Sequence, residues 1–328
     1  MIISNKQQPL VTVLMSVYNA ENFLSLAIES ILNQTYKNFE FLIIDDGSSD
    51  KTLEIIKSYN DDRIKLVVNE ENKGLAFSLN LGMKLARGKY VARMDADDIS
   101  HPKRLAKQVK YLEKHSDISI LGTWAQLIDE KGKHIRFYIL PLRNEIIMAK
   151  MVFHIGIVHP SILIRKSDFE RLELNYDPQI KLPLEDKELW IRAGGLLKFG
   201  NLPSFLIKYR VLPSSVSRVK KKMDDKFHFV VNLLKDYLHA KFNMADLDII
   251  AKFIGGAGCW GTVKPTCEDY KDVIQIISKN KLNKYEKSYL CFILLQISRI
   301  DKKYTTCIGY KERFSIYYNS LKWIIYQF

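Results

Sequence analysis

Val11-Thr12-Val13-Leu14-Met15-Ser16-Val17-Tyr18 is apolar almost without interruption. A strand covered on one face alternates apolar and polar residues, whereas a strand with helices on both faces does not. The stretch therefore predicts a central strand of a parallel sheet. Just downstream, Phe23, Leu24, Ala27, Ile28, Ile31 and Leu32 recur at helical spacing, and Asn19 stands where it can cap that helix. Residues 39–44 read as a second buried strand, 51–59 as a helix, 63–68 as a third strand and 74–86 as a helix ended by Gly88. A fourth strand follows over 89–94, then a helix running to 113. Regular alternation of this kind predicts a parallel α/β sheet with helices on both faces.

In such sheets ligands bind outside the carboxyl ends of the strands. The first strand ends at Ser16-Val17-Tyr18-Asn19, and the second at Asp45-Asp46-Gly47-Ser48-Ser49-Asp50. The fourth, Lys89-Tyr90-Val91-Ala92-Arg93-Met94, runs into Asp95-Ala96-Asp97-Asp98. Polar clusters far apart in sequence thus fall on one edge of one sheet. Residues two apart on a strand share a face, so Arg93, Asp95 and Asp97 are expected to project together. Carboxylates on one face repel unless a cation separates them, and an oxygen-only donor set suits Mg2+ or Mn2+. Asp98 precedes Ser100-His101-Pro102, which reads as a helix start with Ser100 as N-cap. Asp98 is accordingly assigned to capping or loop structure, separate from the Asp95/Asp97 pair. Arg93 is assigned to a supporting ion pair with the carboxylates.

The pattern then turns mixed. Residues 118–128 read as a strand, Asp129-Glu130-Lys131-Gly132 as a turn and 135–140 as the returning strand. A helix is expected over 144–153, a strand over 158–165 beginning at His159-Pro160, and a short helix over 166–172. Pro183-Leu184-Glu185-Asp186 opens a helix that Gly194-Gly195 closes, and 202–211 is a late strand. Beyond 218 the pattern is helical and basic, which suggests domains at 1–218 and 219–328.

With 328 residues, 47% hydrophobic and 27% charged, the composition is that of an ordinary globular protein. No apolar run approaches the ~20 residues that span a bilayer, and the first residues lack the apolar core of a secretion signal. Cys259, Cys267, Cys291 and Cys307 have no C-x-x-C spacing, so neither a zinc site nor a disulfide framework is expected and a reducing cytoplasm fits. The net charge of +13 suits nucleic acid, an anionic membrane face or a phosphorylated substrate. Arg218-Val219-Lys220-Lys221-Lys222 reads either as a phosphate-binding run or as a solvated face. The aromatic and lysine-bearing end around Trp323 reads either as a membrane-surface helix or as packing. Neither G-x-G-x-x-G nor a P-loop occurs, which argues against a dinucleotide fold and a P-loop kinase.

Taken in order, these motifs resemble glycosyltransferase family 2, with the GT-A fold, of the bacterial surface-polysaccharide type. The matching residues are 13–19, Ser30-Ile31-Leu32-Asn33-Gln34-Thr35-Tyr36, 44–50, Asn72-Lys73-Gly74 and Met94-Asp95-Ala96-Asp97-Asp98. They continue with His159-Pro160-Ser161, Glu185-Asp186 with Trp190, and Tyr209-Arg210 with Ser215 and Ser217. The resemblance implies an α/β GT-A domain with a mostly parallel nucleotide-binding sheet flanked by helices, followed by a helical C-terminal extension. It implies that Ser16, Val17, Tyr18 and Asp46 line a nucleotide-base pocket. Asp95 and Asp97 resemble the family's DxD pair, with Asp97 the direct metal ligand and Asp95 nearer the ribose or the metal's water shell, and Asp186 resembles its catalytic base.

The implied activity is metal-dependent, with Mn2+ or Mg2+, and inverting. A nucleoside-diphosphate sugar, with UDP favoured, donates to a saccharide or lipid-linked saccharide. The implied setting is polysaccharide, capsule or lipopolysaccharide synthesis in the cytoplasm, with peripheral contact to an anionic membrane. Two departures stand out: Leu212 replaces a histidine common after the Tyr-Arg pair, and Leu79 an arginine before Asn80. Competing readings are a sugar-nucleotide nucleotidyltransferase, which wants a glycine-rich basic loop after strand one, and a non-catalytic nucleic-acid-binding protein. The latter has no use for acids that repel phosphate, and no nucleic-acid partner is expected.

Overall fold

The computed structural model describes residues 10–153, 155–180, 184–212 and 272–276, together with Asn319. The chain divides into two compact units, residues 1–140 with 157–215 and residues 141–156 with 216–328. The basic run at 218–222, the four cysteines and the aromatic end lie outside the described residues.

The strands are β1 (Val11–Val17), β2 (Phe39–Asp45), β3 (Ile64–Val68), β4 (Tyr90–Met94), β5 (Ile99–Ser100), β6 (Ile120–Ile128), β7 (His134–Tyr138), β8 (Leu163–Arg165) and β9 (Phe199–Arg210). The helices are α1 (Leu24–Leu32), α2 (Thr52–Ser58), α3 (Leu75–Leu85), α4 (Arg104–Lys114), α5 (Asn144–Phe153), α6 (Lys166–Arg171) and α7 (Glu185–Gly194). All but α5 lie in the first unit.

One sheet runs β3-β2-β1-β4-β8-β6-β9-β5, with β7 added to β6. Its β3-β2-β1-β4 half is parallel, as the alternation predicts. The other half corrects the expectation of a mostly parallel sheet. β8 runs antiparallel to both β4 and β6, β9 is parallel to β6, and β5 is antiparallel to β9. β8 is entered through a 3-10 turn at His159–Ser161 rather than through a crossover helix, and hydrophobic patterning carries no record of strand direction.

The sheet also curls. β5 follows β4 after residues 95–98 yet lies four strand steps away. On a flat sheet that separation is about 19 Å, which four residues containing a turn cannot bridge. The far strands must wrap back, bringing the end of β9 onto the 95–98 loop. β5 escapes sequence reading because two residues carry no period. Its presence displaces the helix start expected at Ser100: that residue pairs with Ile207, and α4 begins at Arg104. Ser100 N–H donates instead to Ser30 Oγ at 3.0 Å.

The core explains the element choice. β1 and β2 are buried along nearly their whole length. α3 lies so close on β1 that a Cβ on Gly82 would stand 2.1 Å from Leu14 Cδ1, so only glycine fits without repacking. Arg104 is fully buried; its Nη2 donates to the carbonyls of Arg93 (2.6 Å) and Ile162 (3.2 Å), tying α4 to β4 and to the entry of β8. No helix among the described residues is long and apolar enough to cross a membrane.

Candidate active site

The strand register aligns Val17 with Asp45 and Met15 with Met94, so Ser16–Tyr18, Asp45–Asp46 and Asp95–Asp98 share the carboxyl edge of the sheet. The loops after β1 and β2 are laced together. Asn19 N–H donates to Ser48 Oγ (3.0 Å), Ser49 N–H to Asn19 Oδ1 (2.9 Å), Ala20 N–H to Thr52 Oγ1 (2.7 Å) and Glu21 N–H to Asp50 Oδ2 (3.1 Å). Asn19, at φ 48°, therefore bridges loops rather than capping α1, which starts at Leu24. Tyr18 is left 49% exposed on this edge, above half-buried Ser16 and buried Val17.

The adjacent acids of β2 have different environments. Asp46 accepts from Asn69 Nδ2 (2.7 Å), Lys73 N–H (3.1 Å) and Gly74 N–H (2.8 Å), so both its oxygens hold the 72–74 loop. Asp45 Oδ1 accepts from Ser48 Oγ at 2.6 Å, while its buried Oδ2 has no hydrogen-bond partner. Of the two, Asp45 is the one that keeps an oxygen unsatisfied. The turn between them and Ser48 requires Gly47, at φ 72°, where a Cβ would meet the Glu71 carbonyl carbon at 2.7 Å.

Asp95, Asp97 and Asp98 each offer an oxygen within 4.8 Å of the others. This corrects the separation of Asp98 from the pair. Asp98 is 1% exposed and caps no helix; its Oδ1 accepts the Arg210 N–H at 2.7 Å and its Oδ2 has no partner. Burial, then Asp95 and Asp97, push its carboxyl well above the usual range, and burial and Asp95 push Asp97 up to about 6. A buried orphan oxygen and an all-carboxylate donor set fit a hard divalent cation. Asp95 lies one residue beyond β4 and is ion-paired with buried Arg93, as expected.

Arg210 closes the edge. Its Nε donates to the Asp97 carbonyl (2.8 Å), its Nη1 to the carbonyls of Asp129 (3.1 Å) and Glu130 (2.7 Å), and its guanidinium lies 4.4 Å from the centre of the Phe23 ring. It is thus committed to backbone carbonyls and the Phe23 ring. Asp186 sits in the first turn of α7, its Oδ1 accepting the Lys187 N–H at 2.7 Å. Burial raises its carboxyl above the usual range, with the backbone of Lys187 and the charge of Arg93 opposing; burial and Asp186 push neighbouring Glu185 up to about 7. Arg93 bears electrostatically on Asp97, Asp98, Asp186 and His159.

Sequence reasoning missed Tyr176 and Asn80. Asn80 Oδ1 accepts the Tyr176 N–H (2.9 Å) and its Nδ2 donates to the Tyr176 carbonyl (2.7 Å), across 96 residues that no local pattern links.

Residues 12–172 match the family described as Glycosyl transferase family 2. An uncharacterized glycosyltransferase of Methanocaldococcus jannaschii is 39% identical over 231 residues, covering 67% of this chain and 78% of that one. The chain belongs to glycosyl transferase family 2. An uncharacterized glycosyltransferase of Haemophilus influenzae is 36% identical over 221 residues, 64% of this glycosyltransferase and 68% of the relative. In fold it is similar to S. aureus TarS 1-349, solved in complex with UDP-GlcNAc, at a TM-score of 0.59 and 16% identity over 92% of this chain and 93% of that one. It is also similar to the mannosyltransferase PcManGT of Pyrobaculum calidifontis, solved with GDP-Man and Mn2+, at a TM-score of 0.55 and 15% identity over 97% and 88% of the two chains.

Proposed function

We propose that this glycosyltransferase moves a sugar, with inversion, from a nucleoside-diphosphate sugar to a hydroxyl of a saccharide or lipid-linked saccharide. The setting we assign is synthesis of a surface polysaccharide, capsule or lipopolysaccharide, in the cytoplasm and at the inner face of the membrane, by a catalytic domain within residues 1–218. The observation that carries the reading is the carboxylate cluster of Asp95, Asp97 and Asp98, placed on the same sheet edge as Tyr18 and Asp45. UDP is the first candidate nucleotide. Relatives in fold have been solved with UDP-GlcNAc and with GDP-Man, so both diphosphate classes belong in the test.

In this reading Tyr18, Ser16, Val17 and Asp46 border the base or ribose, with the unpaired buried oxygen of Asp45 beside them at the end of β2. Asp97 and Asp95, with the orphan oxygen of Asp98 beside them, would hold Mn2+ or Mg2+, which supplies neutralisation of the charge growing on the departing diphosphate. Asp186 accepts the proton of the acceptor hydroxyl while that oxygen bonds to C1 and the bond from C1 to the diphosphate breaks. Its raised carboxyl is better matched to that task than an ordinary aspartate. Holding both reactants on one edge removes entropy from the barrier.

The test is a panel of UDP-glucose, UDP-GlcNAc, GDP-mannose and a dTDP-sugar, assayed with Mn2+ or Mg2+ for hydrolysis and for protection from thermal unfolding. The reading expects one donor class to protect, and only with metal. Asp186→Asn should keep that protection and lose turnover. Normal turnover by Asp186→Asn would overturn the base assignment. Salt-dependent DNA binding that survives EDTA would favour the nucleic-acid reading instead.

A further inference from the structure

His159 opens the turn before β8 and is almost fully buried, with its two ring nitrogens in different surroundings. Nε2 lies 2.8 Å from the Tyr176 hydroxyl. Tyr176 is itself buried and fixed by its backbone to Asn80 of α3 through the bonds of 2.9 and 2.7 Å. The hydroxyl that meets His159 is thus positioned by an element other than its own loop. On the other side, Nδ1 lies 3.9 Å from Asp186 Oδ2. The His159 ring also meets Trp190 edge-on, with centroids 5.7 Å apart, one helical turn beyond Asp186 on α7.

These contacts favour one tautomer. Burial, with the nearby Arg93 charge, holds the imidazole neutral, so it carries one N–H. A hydrogen on Nε2 would leave the Nδ1 lone pair facing the Asp186 carboxylate, a repulsive arrangement. With the Tyr176 hydroxyl donating to Nε2, the hydrogen stands on Nδ1 and faces Asp186. A separation of 3.9 Å is too long for a hydrogen bond, but catalytic contacts are commonly long in free enzymes and tighten with substrate.

We propose that His159, with its tautomer set by Tyr176, is the positioning residue of Asp186. Its Nδ1–H engages Oδ2 when substrate is bound and leaves the carboxylate charged and aimed at the acceptor hydroxyl. This rests on the reading of Asp186 as the base. His159 itself takes no proton and touches no reacting atom.

The two amides that mimic one imidazole nitrogen each give the test. The His159→Asn amide nitrogen falls near Nδ1, and the His159→Gln amide near Nε2. With Mn2+ and the sugar nucleotide selected by the panel, hydrolysis by His159→Gln should fall about 10- to 100-fold in kcat, the scale of losing an orienting partner. Donor KM should stay within about twofold. His159→Asn should retain kcat within a few-fold of wild type despite a lower Tm, because it loses only the Tyr176 bond. A purely structural His159 gives the reverse order: Gln is tolerated and Asn is impaired. Equal kcat in both variants, or the reverse order, overturns the proposal. Should either variant fail to fold, Tyr176→Phe decides: a severalfold loss of kcat at unchanged KM supports the proposal, and wild-type kcat overturns it. If Asp186→Asn still turns over, the base reading itself has failed. If Asp186→Asn is dead while His159→Gln is fully active, only this inference has failed.

Discussion

The two ends of the parallel half-sheet hold carboxylates in opposite condition. At the amino end, Glu40 is 5% exposed and fully engaged: it accepts from Thr12 Oγ1 (2.6 Å) and Arg87 N–H (2.8 Å) and pairs with the Arg87 guanidinium (2.7 Å). Burial works against its charge, yet those hydrogen bonds and that cation hold the carboxyl below its usual range. At the carboxyl end, Asp45 and Asp98 keep orphan oxygens, and Asp97 and Asp98 are pushed upward. Cations are present there too, but Arg210 and Arg104 spend themselves on backbone carbonyls, leaving Arg93 to pair with Asp95. A carboxylate satisfied from within is architecture. A cluster left unsatisfied lowers the stability of the free protein and gains it back from a ligand.

The sharpest attempt to break this contrast removes a carboxylate from each end. Asp97→Ala should abolish Mn2+-dependent protection by the donor and lower turnover by ~10²–10³-fold, the scale of losing one group that stabilises developing charge. Calorimetry with Mn2+ and the nucleoside diphosphate reads the first effect. Glu40→Ala should do the converse. It strands the Thr12 hydroxyl and the Arg87 N–H and costs about 1–3 kcal/mol in urea unfolding, while metal-dependent protection persists. If Glu40→Ala also lost metal binding, the two ends would not be independent.

Asp98→Asn sharpens the comparison. The amide oxygen can keep the Arg210 N–H, and a carboxyl whose charge is disfavoured by burial, Asp95 and Asp97 gives way to a neutral group. In EDTA the variant should be more stable than wild type by about 1 kcal/mol, and its stabilisation by Mn2+ should shrink. Destabilisation in EDTA comparable to that of Glu40→Ala would show that Asp98 is architecture as well.

The smallest expected effect is a pH slope. Burial and Asp186 push Glu185 up to about 7 in the folded protein, above the ordinary glutamate value of about 4.5, so between these values the folded state binds more protons than the unfolded state. Its contribution therefore favours folding at low pH and is lost as pH rises through about 7. In EDTA, Tm should decline from pH 5 to 8, and Glu185→Gln should flatten that decline. An unchanged slope would remove Glu185 as its source.

Much of this was written locally. The unbroken apolar run of β1, the helical spacing of α1 and the acids that follow β2 and β4 placed a parallel half-sheet and put its polar residues on one edge, because period and burial are encoded residue by residue. The short strand β5 and the reversed direction of β8 were not legible, since neither leaves a period. Asp98 illustrates the limit. Its sequence neighbours suggest a helix start, and its true partner is the Arg210 N–H, 112 residues away.

The sequence by itself determined which residues carry charge at the strand ends, and through ordered motifs it determined the family. Tertiary structure decided which of those charges are already spent. It tied Asp46 to the 72–74 loop and left one buried oxygen of Asp45 unpaired, drew Asp98 into the cluster, turned Arg210 inward and set His159 between Tyr176 and Asp186. The physical reason is that hydrogen bonds and Coulomb interactions act over a few ångströms of space. A curled sheet makes neighbours of residues that the chain keeps far apart.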